Sequence, residues 1–110
     1  MGKRPLGVDV LTAAISRLGR IFDDFPRVYL SFSGGKDSSV MMHLACAEAR
    51  RRGRRIGVLI VDLEAQYELT ITHVRDMLRL YADVVDPYWL ALPLSLRNAV
   101  SQFSPKWQCW

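Results

Sequence analysis

Two short apolar runs, Val28-Tyr29-Leu30-Ser31-Phe32 and Ile56-Gly57-Val58-Leu59-Ile60-Val61, are separated by a stretch of helical periodicity from Ser38 to about Arg52. That arrangement constrains the fold more than any other feature of the chain. A strand, a helix and a second strand joined by short connections form a right-handed crossover, and the two strands then lie parallel in one sheet. The second run is continuously apolar, the pattern of a strand covered on both faces. Gly53 marks the end of the helix between them.

The same alternation extends in both directions. From Val8 to Phe25 the apolar residues Leu11, Ala14, Ile15, Leu18, Phe22 and Phe25 recur at three-and-four spacing, with Asp9 as N-cap and Pro26 as stop. Beyond Asp62 a further helix is expected from Gln66 to Tyr81, with Leu69, Thr70, Val74, Met77 and Leu78 on its inner side. On the helix from Ser38, the residues Val40, Met41, Leu44 and Ala47 share one face. A third strand is expected around Val84-Val85 and Tyr88-Trp89-Leu90, with Pro87 placing it at an edge. After Pro93 a short helix is expected over about Leu94 to Phe103.

Composition narrows the function classes. The 110 residues fit one small domain, half of them apolar and 24% charged. No apolar run approaches the ~20 residues that span a bilayer. The start, Met1 to Pro5, lacks the apolar stretch and cleavage site of a signal peptide, so a cytoplasmic protein is expected. Cys46 and Cys109 form no Cys-x-x-Cys pair, and His43 and His73 belong to no metal-spaced cluster. Cys46, inside an apolar helical stretch, reads as a buried inert thiol. Of the +4 net charge, Arg50, Arg51, Arg52, Arg54 and Arg55 supply a concentrated block. Such a block suits a helix C-terminus facing water, or a nucleic acid or other phosphate-rich partner.

The chemistry lies in Ser33-Gly34-Gly35-Lys36-Asp37-Ser38-Ser39, between the first strand and its helix. Two glycines let the backbone turn and approach a ligand closely. The helix start offers unpaired N–H groups and the positive end of the dipole, an anion site. Ser33, Ser38 and Ser39 add hydroxyls, and Lys36 adds positive charge. Asp37 would be repelled by a phosphate, a conflict removed by a bridging Mg²⁺ or by a capping role. The spacing fits neither the Gly-x-x-x-x-Gly-Lys-Ser/Thr loop nor the Gly-x-Gly-x-x-Gly fingerprint.

Ser33 to Ser38, reading Ser-Gly-Gly-Lys-Asp-Ser, resembles the PP-loop of the superfamily of ATP pyrophosphatases and phosphoadenosine-phosphosulfate (PAPS) reductases. Val28 to Phe32 resembles that family's first core strand, and Ile60-Val61-Asp62 its second. The segment Asp62-Leu63-Glu64-Ala65-Gln66-Tyr67, the threonine-containing helix after it and the tail Trp107-Gln108-Cys109-Trp110 are similar to a PAPS reductase-like subgroup related to immunoglobulin-binding regulator A.

The resemblance implies a three-layer α/β fold, a parallel sheet with helices on both faces, here truncated to about three strands. Residues 1–110 would form the N-terminal portion of such a domain. It further implies that Ser33, Gly34, Gly35, Lys36, Asp37, Ser38 and Ser39 hold the phosphates or sulfonate of ATP or PAPS. Lys36 and Asp37 become the candidate catalytic residues, Asp37 a candidate Mg²⁺ ligand, and Asp62 and Leu63 neighbours of the adenosine. Full-length relatives would reduce phosphosulfate, transfer sulfur, or cleave ATP between the α and β phosphates.

The family's strand order, 3-2-1-4-5, leaves strand 1 as an edge in a chain that supplies only strands 1 to 3. Self-association or a partner chain covering that edge is therefore expected. No match to the reductases' C-terminal cysteine motif is present. A non-catalytic regulatory or remnant domain and a nucleic-acid-modifying enzyme stand as the alternative functions.

Overall fold

The computed structural model describes residues 7–64, 66–97 and 106–110, with Arg97 and Trp107 described by their backbone alone. Helix α1 (Val10–Asp24) starts where expected. The Asp9 carboxylate accepts the Thr12 N–H at 2.7 Å, and that bond holds the Asp9 carboxyl below its ordinary pKa. Strand β1 (Tyr29–Ser31) leads through the loop into α2 (Lys36–Arg52), which ends at Gly53 in the left-handed conformation, φ 64°. Then follow β2 (Ile56–Val61), α3 (Glu68–Leu80) and β3 (Val85–Leu90).

The three strands form one parallel sheet of order β1-β2-β3, flanked by helices. This is the α/β architecture expected, carried to three strands. Its register pairs Tyr29 with Gly57 and Ser31 with Leu59, then Ile56 with Val85 and Val61 with Leu90. β3 is an edge, which accommodates Pro87 and its missing donor. Among the described residues β1 is the other edge.

Alternate residues of the strands divide the sheet into two faces. Phe32, Ile56, Val58, Ile60 and Val85 are buried under the helices, in one cluster with Met42, Ala45, Cys46 and Ala49 of α2 and Val74 and Met77 of α3. Two crossovers stepping in the same direction put α2 and α3 on that same face. The other face carries Tyr29, Val61, Tyr88 and Leu90, all exposed. There the Tyr29 ring covers Gly57, where any Cβ would collide with it, and lies 6.3 Å from the Tyr88 ring. β2 is thus buried on one side and only partly covered on the other among the described residues.

Three expectations are corrected. The helix expected from Leu94 begins instead as strand β4 (Leu94–Arg97), paired antiparallel with β5 (Lys106–Cys109); residues 98–103 of that expectation lie outside the described residues. Leu94-Ser95-Leu96-Arg97 alternates apolar and polar with period two, which suits a strand. On α2 the core face is Met42, Ala45, Cys46 and Ala49, whereas Val40 and Met41 are exposed and Ala47 faces solvent. On α3, Leu69 is 83% exposed, because five residues from Val74 puts it about 140° around the helix.

The arginine block is consumed in knitting these elements together. Arg50 pairs with Asp83 at 2.6 Å, donates to the Leu80 carbonyl and lies 4.8 Å from the centre of the Tyr81 ring. Arg51 and Arg52 both clamp Glu48, and their hydrogen bonds pull its carboxyl down to about 2. Arg52 also reaches Asp23 at 2.6 Å and the Gly19 carbonyl on α1. Arg54 donates to the Phe22 and Phe25 carbonyls, and Arg55 to Asp86 and the Asp83 and Val85 carbonyls. Planar guanidinium forks suit this bridging of carboxylates and chain-end carbonyls.

Candidate functional site

β1 and β2 leave the sheet at the same end, and the candidate site is built there. The chain after β1 stays paired through Phe32, whose N–H donates to the Leu59 carbonyl at 2.9 Å. Phe32 is buried, its ring 6.1 Å from that of His73 on α3. Gly34 follows at φ 84°, and a Cβ there would sit 3.0 Å from the γ-methyls of both Thr70 and Val74. Two independent constraints, a positive φ and the nearness of α3, therefore call for glycine. Gly35 then caps α2 without a side-chain bond.

The hydroxyls of the loop bond inward. The Gly35 carbonyl accepts from the Ser39 N–H at 3.0 Å, the Ser39 hydroxyl at 2.7 Å and the Ser38 hydroxyl at 3.2 Å. With its one proton on Gly35, Ser38 accepts from Ser33 at 2.9 Å, and Ser33 in turn accepts the Gly35 N–H at 3.3 Å. Ser39 likewise, its proton spent on Gly35, takes a hydrogen bond from His73 Nε2 at 2.8 Å. The serines and His73 shape the loop, and α3 supports it from behind.

What the loop offers a ligand is its backbone and its charge. The N–H groups of Lys36, Asp37 and Ser38, the first three of α2, have no acceptor among the described residues. They point out of the helix start along with its positive dipole end. Lys36 and Asp37 are exposed and neither has a bonding partner among the described residues. The Asp37 side chain lines a groove of about 460 Å³ between α1 and α2, whose other walls include Val10, Leu11, Val40 and Met41.

Asp62 and Leu63 lie where the second strand ends, as expected. The Asp62 carboxylate, however, is fully engaged: Oδ1 accepts the Glu64 N–H and Oδ2 the indole N–H of Trp89, both at 2.8 Å. Asp62 thereby fixes the turn after β2. Thr70, Val74 and Trp89 were legible only as core residues and His73 as an isolated histidine. Their part in the site comes from packing between elements far apart in sequence. The i, i+3 and i, i+4 spacing of Thr70, His73 and Val74 was the one local sign that they share a face.

Neither thiol reaches the site. Cys46 is fully buried in the core, and burial pushes its thiol up to about 11. Cys109 is fully buried too, its sulfur 3.5 Å from the Leu92 carbonyl and 3.7 Å from that of Leu94. Among the described residues no group of three or more His, Cys, Asp or Glu side chains could hold a metal. No described helix is long and apolar enough to cross a membrane.

A parallel sheet with a Gly-Gly loop feeding an open helix N-terminus at its carboxyl end defines an α/β protein whose loop presents unpaired N–H groups. The sequence profile of the phosphoadenosine phosphosulfate reductase domain matches residues 27–91, from just before β1 to just after β3, and the chain belongs to that family. It is also 48% identical over 109 residues to YbdN of Escherichia coli (strain K12), described as an uncharacterized protein. The match covers 98% of this chain and 27% of YbdN, so the chain spans about a quarter of the length of that relative.

Proposed function

We propose that the chain binds an adenine nucleotide, ATP or PAPS, with the phosphates or sulfonate on the loop Ser33–Ser39. The observation that carries this reading is the set of three acceptor-less N–H groups at Lys36, Asp37 and Ser38, beside the Lys36 charge and on a backbone that Gly34 lets approach α3. The adenosine would extend toward Asp62 and Leu63 at the end of β2. Mg²⁺ fits this donor set: a single carboxylate, Asp37, completed by phosphate oxygens and water, is a common way of binding that ion. Bound there, it would offset phosphate charge next to Asp37.

For the chemistry of a longer protein with this domain, we infer either sulfonate reduction or transfer, or loss of pyrophosphate from ATP. Because both thiols are buried away from the loop, a reductive step would need a thiol from outside this chain. The same burial favours a second reading, a regulatory domain that binds nucleotide without turnover. The third, a nucleic-acid modifier, rested on the arginine block, whose five side chains are all bonded within the chain. We place the protein in the cytoplasm. We also infer that a second copy or a partner chain pairs with the outer edge of β1, since an unpaired edge strand is a template for another.

Calorimetry with ATP and PAPS in the presence of Mg²⁺ tests the main reading. Micromolar binding that weakens at least tenfold in Lys36→Ala and Asp37→Ala is expected, and a folded protein that binds neither ligand rules it out. Sedimentation equilibrium tests the edge: a strictly monomeric species at high concentration, with no partner recovered, speaks against pairing.

A further inference from the structure

The turn after β2 carries a half-exposed tryptophan held by its polar atom. The Trp110 indole N–H donates to the Asp62 carbonyl at 2.7 Å, and the Trp110 backbone N–H donates to Glu64 Oε1 at 2.5 Å. Asp62 and Glu64 beneath it are each held. Both carboxylate oxygens of Asp62 are occupied, and Glu64 is held at φ 69°, a conformation a side-chain-bearing residue adopts only when its surroundings impose it. Cys109, the preceding residue, is fully buried and fixes the end of β5. Trp110 is nevertheless 52% exposed as a residue.

Its position matters more than its exposure. The β1–β2 register pairs Ser31 with Leu59; carried two residues further, it sets Ser33 level with Val61, one residue before Asp62. Neighbouring strands lie about 4.8 Å apart. The phosphate loop and the turn that mounts Trp110 therefore border the same mouth at the carboxyl end of the sheet. An indole whose N–H is already satisfied has only its π-face left to offer, and a nucleobase is a matching flat surface.

We infer that Trp110 is the platform on which the purine base of the nucleotide stacks, with Asp62 as the positioning residue that fixes its mount. The inference rests on the nucleotide reading above and adds the residue that recognises the base. Stacking favours purine over pyrimidine by surface overlap, so the site would prefer ATP to UTP and either to phosphate alone.

The test is calorimetry of ATP, UTP and inorganic tripolyphosphate, each with Mg²⁺, on the whole chain and on Trp110→Ala, Trp110→Leu and Trp110→Phe. Loss of one base–aromatic stack weakens binding by about 5- to 150-fold. ATP affinity should fall by that order in Trp110→Ala and Trp110→Leu and return only in part in Trp110→Phe, which keeps a ring to stack but lacks the N–H that mounts it on Asp62. Tripolyphosphate affinity should stay constant throughout, which reports an intact loop, and the preference for ATP over UTP should collapse with the ring. An ATP affinity unchanged in Trp110→Ala, or a tripolyphosphate affinity that falls in parallel, overturns the inference. A wild type that binds tripolyphosphate as tightly as ATP overturns it too, while leaving the phosphate loop standing. Binding of neither ligand removes the nucleotide reading and this inference together.

Discussion

Replacing Gly34 by alanine tests the support of the loop directly. At φ 84° an L-residue is strained by about 1–2 kcal/mol. The added methyl would also sit 3.0 Å from the Thr70 and Val74 γ-methyls, and overpacking of this kind costs about 1–3 kcal/mol. The stiffer unfolded chain of the alanine variant offsets roughly 0.4–1 kcal/mol of this. The net is a destabilisation of about 1–5 kcal/mol, a large fraction of the ~5–15 kcal/mol available to a domain of this size. With a urea slope of about 2 kcal/mol/M, the unfolding midpoint should drop by roughly 0.5–2.5 M. Thr70→Ala removes one of the two crowded methyls, so the double variant should be less destabilised than the sum of the singles by about 0.5–1 kcal/mol. An unchanged midpoint in Gly34→Ala would refute the claim that α3 and the backbone together dictate this glycine. Strict additivity with Thr70→Ala would refute the contact and leave only the φ constraint.

Two further outcomes are expected. The Glu48 carboxyl lies at about 2 in the folded chain against an ordinary 4.5, so the unfolded chain takes up the proton first as pH falls. The stability that Glu48 contributes is complete above its unfolded pKa and is lost as pH falls from about 4.5 toward 2; urea midpoints measured across that window should fall steeply in the wild type and less so in Glu48→Gln. Both thiols should resist a water-soluble disulfide reagent in the native state and react stoichiometrically in urea, since each is fully buried; fast native labelling of either would contradict its placement.

The elements legible in the sequence were those with local causes. Asp9, Pro26 and Gly53 mark helix ends by their own chemistry, and the runs at Val28 and Ile56 are strands whatever packs on them. The inner face of α2 was not legible, because that helix is apolar on two sides. Met42, Ala45, Cys46 and Ala49 face the sheet, while Val40, Met41 and Leu44 face the groove beside α1. Periodicity alone cannot say which stripe is the core. β4 was missed because Pro93 reads equally as a helix start or as the last residue before a strand. The arginine block looked like a solvated patch or a phosphate site. Its carboxylate and carbonyl partners, from Gly19 to Asp86, are set by tertiary contacts and not by the run itself.

In the candidate site the split is sharper. The candidate loop's own groups lie in seven consecutive residues and are readable as chemistry. The groups that hold them, Thr70, His73 and Val74, arrive from α3, and Trp89 of β3 and Trp110, just after β5, hold the neighbouring turn after β2. All of these supports stand on the β2 side of the loop. None belongs to the outer edge of β1 or to the open sheet face where Tyr29 crosses Gly57 toward Tyr88. The geometry of the loop is therefore set from α3, and a chain that paired with β1 would meet a loop already shaped. It follows that substitutions at Tyr29 should change association far more than phosphate affinity. Ser39→Ala, which severs the Gly35–Ser39–His73 chain of hydrogen bonds, should weaken tripolyphosphate binding in a chain that associates normally. The opposite pattern would mean that the cradle is completed from the β1 side.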